Sequence, residues 1–207
     1  MIIKRFILGM ASTNSYVVTN TDTKESIIVD IGSYSDVMNN YLNDNGYTLK
    51  GILLTHGHFD HIMGLDGMIK KHDVPIYIFG DEMDMLKDPS LNASVDFGLN
   101  YAYGAKVNGL RDGEVLSIAG MDFKVIHTPG HTGGGCCYYM ESEGTLFSGD
   151  TLFRASVGRS DLPTGSGGIL IRSIRDRLMT LPDETKVYPG HMDSTTIGYE
   201  KKYNPFV

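Results

Sequence analysis

Between positions 56 and 61 the chain reads His-Gly-His-Phe-Asp-His, so His56, His58, Asp60 and His61 put four metal-ligand side chains into one short stretch. Such groups sit this close only when something cationic bridges them. Imidazole mixed with carboxylate suits zinc or iron, and a mixed site that keeps a position for water is hydrolytic before it is structural. In an extended loop His56 and His58 point to one side and can share an ion, whereas Asp60 and His61, past the turn toward a helix, face a second. The spacing differs from His-Glu-x-x-His, which needs one continuous helix, so a single helical zinc site is disfavoured.

Three more donors stand at the ends of β-rich runs. His131 follows Thr128-Pro129-Gly130, Asp150 follows Phe147-Ser148-Gly149, and His191 follows Tyr188-Pro189-Gly190. Each is preceded by a glycine, which lets backbone approach a buried ion with no Cβ in the way. Singly, these three are more often a turn histidine, a turn aspartate and a packed histidine than ligands; jointly they complete a set of seven converging ligands. Of the remaining histidines, His72 follows Lys70-Lys71 at a helix end and reads as a solvated C-terminal cation. His127 ends a strand and belongs to the core or stands behind the ligands.

The elements that must carry these residues begin with short β-rich runs, Lys4 to Leu8, Ser15 to Thr19 and Ser26 to Asp30, joined by polar turns as in an antiparallel sheet. Val37, Met38, Tyr41 and Leu42 then recur at helical spacing, with Ser33 and Ser35 as caps and Gly46 as terminator. Gly51 to Leu54 predicts a strand leading into the ligand cluster, Ile62, Leu65 and Ile69 predict a helix to Lys71, and Pro75 to Phe79 predicts the next strand. The cluster thus falls at the carboxyl end of a strand in a β-loop-α-β unit, where α/β folds place their chemistry. Asp81 to Leu86 suggests a short helix, and Lys87 to Tyr103 lacks periodicity, as a binding loop or lid does. Strands are expected at Gly104 to Val107, Glu114 to Ile118, Met121 to His127, Cys136 to Met140, Gly144 to Phe147 and Lys186 to Tyr188, with a helix from Ile169 to Met179. Both halves share this order, which suggests two sheets face to face with helices outside.

The 207 residues fit one domain spanning 1–207, long enough to bury roughly 70% of the extended surface. A net charge of -7 argues against a nucleic-acid partner, whose backbone calls for clustered cations. The N-terminus lacks signal-peptide character and no apolar run reaches membrane-spanning length, so the expected home is the cytoplasm, with no membrane partner. The two cysteines, Cys136 and Cys137, are adjacent in a strand, where side chains point to opposite faces, so they read as reduced packing thiols.

The motifs HGHFDH, TPGHTGG, FSGDTLF and PGH, with the terminal YEKKYNPF, together resemble the metallo-β-lactamase superfamily and specifically its glyoxalase II-like branch. The resemblance implies a four-layer αββα sandwich of α/β (α+β) class. It implies two divalent metal ions, zinc first and iron or manganese as alternatives, one held by His56, His58 and His131 and the other by Asp60, His61 and His191, with Asp150 bridging. Asp30 matches an aspartate that supports the metal loop, or is a simple turn residue. Asp150, where true zinc β-lactamases carry cysteine, points toward the thioesterase and oxidoreductase branches.

The reaction so implied is hydrolysis of a small-molecule thioester such as S-lactoylglutathione by a metal-bridging hydroxide, with Asp60 or Asp150 orienting it and carrying its proton. A thiol departs as thiolate without a dedicated acid, which suits such a site. Two departures weaken the case for glutathione itself. The helical C-terminal extension of full-length glyoxalase II is absent, sixteen residues following His191. The segment Gly158-Arg159-Ser160-Asp161 has Asp161 where an aromatic is expected. Arg159 is a candidate to bind a substrate carboxylate, or else a surface or salt-bridged arginine. The rival readings are a mononuclear iron persulfide dioxygenase using His56, His131 and Asp150, and a hydrolase of other small esters or lactones.

Overall fold

The computed structural model describes residues 1–207. Its central strands bury neighbouring side chains on both faces, as strands covered on two sides must. In one sheet β1 (Ile2–Leu8), β2 (Thr13–Thr19) and β3 (Glu25–Val29) run antiparallel, and β4 (Thr48–Leu53), β5 (Ile76–Phe79) and β6 (Asn108–Leu110) follow in parallel. The second sheet repeats the plan. β7 (Val115–Ile118), β8 (Met121–His127), β9 (Cys136–Met140) and β10 (Thr145–Gly149) form an antiparallel meander, and β13 (Lys186–Pro189) adds in parallel to β10, with β14 (Thr195–Thr196) at the edge. A small hairpin, β11 (Leu152–Phe153) and β12 (Ser156–Val157), stands apart.

Adjacent residues sort into different layers. Val17, Ile28 and Ile52 pack on Met38 and Leu42 of α1 (Asp36–Asp44), Ile62 of α2 (Phe59–Ile62) and Leu65 and Met68 of α3 (Leu65–His72). Their neighbours Val18, Ile27 and Leu53 pack instead between the sheets against Phe123, Tyr138 and Phe147. On the far side, Cys137, Leu146 and Val187 meet Leu170 of α4 (Gly167–Ser173), Ile174 and Leu178, and Ile197 of α5 (Ile197–Tyr203). The result is the expected αββα sandwich. Cys136 lies in the layer between the sheets and Cys137 under the outer helices, and burial pushes both thiols up, as packing cysteines require.

Several local expectations need correction. The helix expected from Ile62 to Lys71 is broken after Ile62, because Gly64 lies against the backbone after β3: its N–H donates to Ile31 O at 3.0 Å, and a Cβ there would come 2.7 Å from the Ser33 carbonyl carbon. The strand expected at Gly104 to Val107 lies at Asn108–Leu110, where Tyr77 pairs with Asn108 and the Asn108 amide donates to Ile76 O. Asp81 to Leu86 forms two 3-10 turns, and the helix begun at Gly167 passes into a π turn over Ile174–Leu178. Ser35 occupies the N-cap of α1 with no side-chain bond, and Val37 is 69% exposed rather than on the buried face. His72 is no free cation: its ring nitrogen bonds Asn39 Oδ1 at 2.8 Å, and burial followed by nearby Lys71 lowers its pKa. No helix is long and apolar enough to cross a membrane.

Candidate metal centre

All seven sequence-derived donors lie at one end of the sandwich, on loops leaving the carboxyl ends of β4, β8, β10 and β13. The first sheet supplies His56, His58, Asp60 and His61; the second supplies His131, Asp150 and His191. Their ligand atoms form three overlapping groups, each gathered within 4.8 Å: His56 with His58 and His131, Asp60 with His61 and His191, and His56 with His61 and Asp150. His131 Nε2 lies 2.9 Å from His58 Nδ1 and 3.2 Å from His56 Nε2. Asp150 reaches both sides, with Oδ1 3.4 Å from His61 Nε2 and Oδ2 3.7 Å from His131 Nε2 and 3.4 Å from His191 Nε2. Gly190 makes room for this, since a Cβ there would overlap Asp150 Oδ1.

Hydrogen bonds behind the donors fix which nitrogens carry protons. His131 Nδ1 donates to the Arg159 carbonyl at 2.7 Å, leaving Nε2 a lone pair. His61 Nδ1 donates to Asp30 Oδ2 at 2.9 Å, leaving its Nε2 free as well. Thr55 Oγ1 donates to the same Asp30 oxygen at 2.8 Å, so it accepts from His56 Nδ1 at 3.1 Å and aims the His56 Nε2 lone pair into the site. Asp30 therefore sets the tautomer of one histidine in each group, directly or through Thr55. It does so from a left-handed backbone position, φ 54°, that Asp tolerates better than most residues.

This arrangement fits cations. His56 Nε2 and His131 Nε2 present lone pairs to each other 3.2 Å apart and repel unless a positive charge lies between them, and the buried His58 Nε2, His61 Nε2 and Asp150 Oδ1 make no hydrogen bond of their own. Burial, then neighbouring imidazoles, lowers His56 well below its ordinary value, and burial, then His131, takes His58 to about 3. Around the carboxylates the balance reverses. Burial opposes charge on His61 and His191, yet Asp60, Asp150 and Asp30 raise His61 well above the usual range, and hydrogen bonds to Asp150 and Asp60 bring His191 to about 9. Burial alone would raise the two acids, but His61 leads the histidines that bring Asp60 to about 2 and hold Asp150 well below its ordinary value. The geometry thus favours positive charge at its centre.

Three supporting residues escaped the sequence reading. Thr13 Oγ1 donates to Asp60 Oδ2 at 3.0 Å, and Thr55 relays Asp30 as described. Glu82, 1% exposed, accepts from Gly57 N–H at 2.8 Å and Gly134 N–H at 2.7 Å, joining the loop of His56 and His58 to that of His131. Burial raises its carboxyl, against the pull of those amides and Thr132. The only sequence signal was an acidic residue just past a strand. Glu82→Ala is expected to lower the unfolding free energy of the metal-free chain by about 2–5 kcal/mol, as two buried donors lose their acceptor. Urea denaturation checks this; a loss under about 1 kcal/mol would mean the amides find other partners.

Further ties cross between the sheets. Asn14 N–H donates to Gly190 O, Asn14 Nδ2 and Tyr16 Oη donate to Pro189 O, Cys136 N–H to Thr55 O, and Tyr138 Oη to Leu54 O, all at 2.7–2.9 Å. The stretch Lys87 to Tyr103 is a packed wall rather than a loose lid: Asn92 and Ser94 are buried and bonded to Tyr101 O, and Ala93 and Phe97 line a cavity beside the donors. Arg159 lines the same cavity, and its side chain pairs with Asp161. His127 stacks on Phe79 at 4.2 Å, away from the ligands.

Residues 8–191 match the metallo-beta-lactamase superfamily profile. The chain belongs to that superfamily. Its members bind metal ions, in keeping with the donor groups described above. The probable metallo-hydrolase YqgX of Bacillus subtilis is 35% identical over 99% of this chain and 96% of its own. The hydroxyacylglutathione hydrolase GloC of Haemophilus influenzae is 36% identical over 90% of this chain and 89% of its own. Among solved structures, BLEG-1, described as a B3 metallo-beta-lactamase, superposes with a TM-score of 0.94 at 40% identity, covering 99% of each chain. TTHA1623 in a di-iron-bound form gives 0.88 at 33% identity over 99% and 100%. ETHE1 from Myxococcus xanthus gives 0.80 at 26% over 99% and 84%. A protein described as a B3 metallo-beta-lactamase is thus among this chain's likenesses, beside one described as a hydroxyacylglutathione hydrolase.

Proposed function

We propose that the protein is a dinuclear metal-dependent hydrolase of small acyl thioesters, working in the cytoplasm on a small-molecule substrate. His56, His58 and His131 would hold one divalent cation, Asp60, His61 and His191 the other, with Asp150 facing both. Zinc is the first choice, and the di-iron form of TTHA1623 makes iron the next. The observation that carries this reading is the meeting of the seven donors beside a cavity of about 300 Å³ that a small acyl thioester can enter.

Bound cations supply Lewis acidity at a carbonyl oxygen and bring the pKa of a water to about 7. The chain's own part is orientation. Asp60 Oδ2, fixed by Thr13 and 3.2 Å from His191 Nε2, and the Asp150 carboxylate are the groups placed to hold the proton of the attacking water. Apart from the candidate metal donors, Arg159 is the one ionisable side chain at the cavity, and a guanidinium does not give up its proton. A departing amide nitrogen would have to draw on the proton held by Asp60 or Asp150, whereas a thiol, with a pKa near about 8.5, leaves without it. The likeness to GloC supports the same substrate class.

Metal analysis of protein purified without oxygen, paired with turnover, tests the reading. Two cations per chain with S-lactoylglutathione hydrolysis is the expected result, and chelation should abolish the activity and re-addition restore it. One iron per chain with persulfide-dependent oxygen uptake, or cleavage of nitrocefin faster than of any thioester, would overturn it.

A further inference from the structure

We propose that Glu200 of the terminal helix is a positioning residue for the substrate, fixing through the hairpin of β11 and β12 where Phe153 stands as a wall of the cavity. The inference deepens the proposed function and rests on its placing the substrate in that cavity. It also gives a role to the YEKKYNPF segment, which holds none of the seven donors.

Residues 151–158 form a strap whose two ends stand on the donors. The strap leaves Asp150 and returns through Gly158, where a Cβ would overlap the Asp150 carbonyl oxygen, to Arg159, whose own carbonyl accepts from His131 Nδ1 at 2.7 Å. Its base is held by local bonds: Ser148 Oγ donates to Leu152 O at 2.8 Å and Gly158 N–H to Thr151 O at 3.3 Å. The tip depends on a neighbour. Phe153 and Ser156 flank a two-residue turn, Arg154-Ala155, and Ala155 lies at φ 52°, where a hairpin turn ordinarily places glycine or asparagine. A side-chain-bearing residue in that region persists when its surroundings hold it there.

α5 does the holding. Glu200, fully buried, accepts from Ala155 N–H at 2.9 Å, from Asn204 Nδ2 at 2.8 Å and from the Thr195 hydroxyl. Asn204 Nδ2 gives its other hydrogen to Ser156 O at 3.0 Å, and the Arg154 guanidinium lies 5.3 Å from the centre of the Tyr199 ring. Thr195 stands on β14, just past His191, so one buried carboxylate joins the segments that follow Asp150 and His191, as Glu82 joins the loops of His58 and His131. What the tip brings to the cavity is Phe153, its ring edge-on to that of His191 with centres 6.1 Å apart. Truncating Glu200 strands the Ala155 amide and frees the tip, so the wall shifts while both ends of the strap stay on the donors.

The test reads KM, because a smaller folded fraction lowers kcat per chain and leaves KM unchanged. In the zinc-loaded full chain, KM for S-lactoylglutathione is expected to rise about five- to ten-fold in Glu200→Ala, as when one aromatic wall stops covering a ligand, with zinc content unchanged. Phe153→Ala should raise KM at least as much, and the double variant no further, since both act through one contact. Glu200→Gln should keep the wild-type KM: its carbonyl can accept from Ala155 and Asn204 while its amide donates to the Thr195 hydroxyl. Should Glu200→Ala not fold, Asn204→Ala, which loses the bond to Ser156 O, takes its place in the cycle. Amide hydrogen exchange over 151–158 should quicken in either alanine variant and not in Glu200→Gln. KM increases that multiply in the double variant, or an unchanged KM in the alanine variant, overturn this inference alone. If no thioester is turned over and a lactone or nitrocefin is cleaved instead, the thioester reading falls, and the same cycle run on that substrate decides the role of Glu200.

Discussion

Asp150→Asn is expected to cut turnover by about a thousand-fold or more and to leave fewer cations bound per chain. Asp150 is the one carboxylate within 4 Å of histidine nitrogens from both three-donor groups, His131 on one side and His61 and His191 on the other. A residue that merely supports a metal ligand costs about 10–100-fold in affinity when removed, and a residue donating directly costs more. The amide of asparagine keeps the shape and loses the charge, so it tests the carboxylate with the packing left in place. Asp150→Ala removes the shape as well, and in the metal-free chain it leaves His61 and His191 short of a counter-charge in a buried setting, at a cost of about 3–5 kcal/mol. Metal content by mass spectrometry and thermal unfolding with and without zinc separate the two effects. Full activity with full occupancy in Asp150→Asn would remove this residue from the shared position.

Asp30→Ala should have the next largest effect, although Asp30 belongs to none of the three donor groups. Its two oxygens accept from Thr55 N–H, Thr55 Oγ1 and His61 Nδ1, all inside the protein. Losing them strands three buried donors, a penalty on the order of 3 kcal/mol or more, and places alanine at φ 54°. It also frees His56 and His61 to adopt the other tautomer, one in each donor group. Zinc affinity, measured against a competing chelator, should fall about 10–100-fold. Asp30→Asn tolerates the left-handed backbone and should fold better, yet it presents an amide donor where at least one of three donors needs an acceptor, so its affinity should still drop. Wild-type affinity in Asp30→Asn would show that the tautomers are set elsewhere.

The donors were legible in the sequence because the chemistry restricts them to a few residue types, and because strand ends with a preceding glycine mark where such types are placed. His131, Asp150 and His191 were weak signals singly and gained meaning only with His56 to His61. The layers were legible from apolar pairs such as Val17-Val18 and Ile27-Ile28, which only a strand covered on both faces can bury. What the sequence hid was contact. Glu82 and Thr13 are ordinary residues until the fold brings Gly134 and Asp60 beside them. The break at Gly64 depends on backbone from β3, and the placement of β6 on its partner β5, so local periodicity could not find either. Arg159 and Asp161 were both noticed, but a loop spacing of two does not say whether two side chains turn toward each other.

The ties that cross from Asn14, Tyr16, Glu82 and Tyr138 to the opposite sheet involve protein atoms alone. Were the proposed ions lost, the candidate ligands would therefore stay assembled, and exchange would need no refolding step. On the proposed dinuclear reading, the ion held would then follow supply rather than the history of the chain's folding.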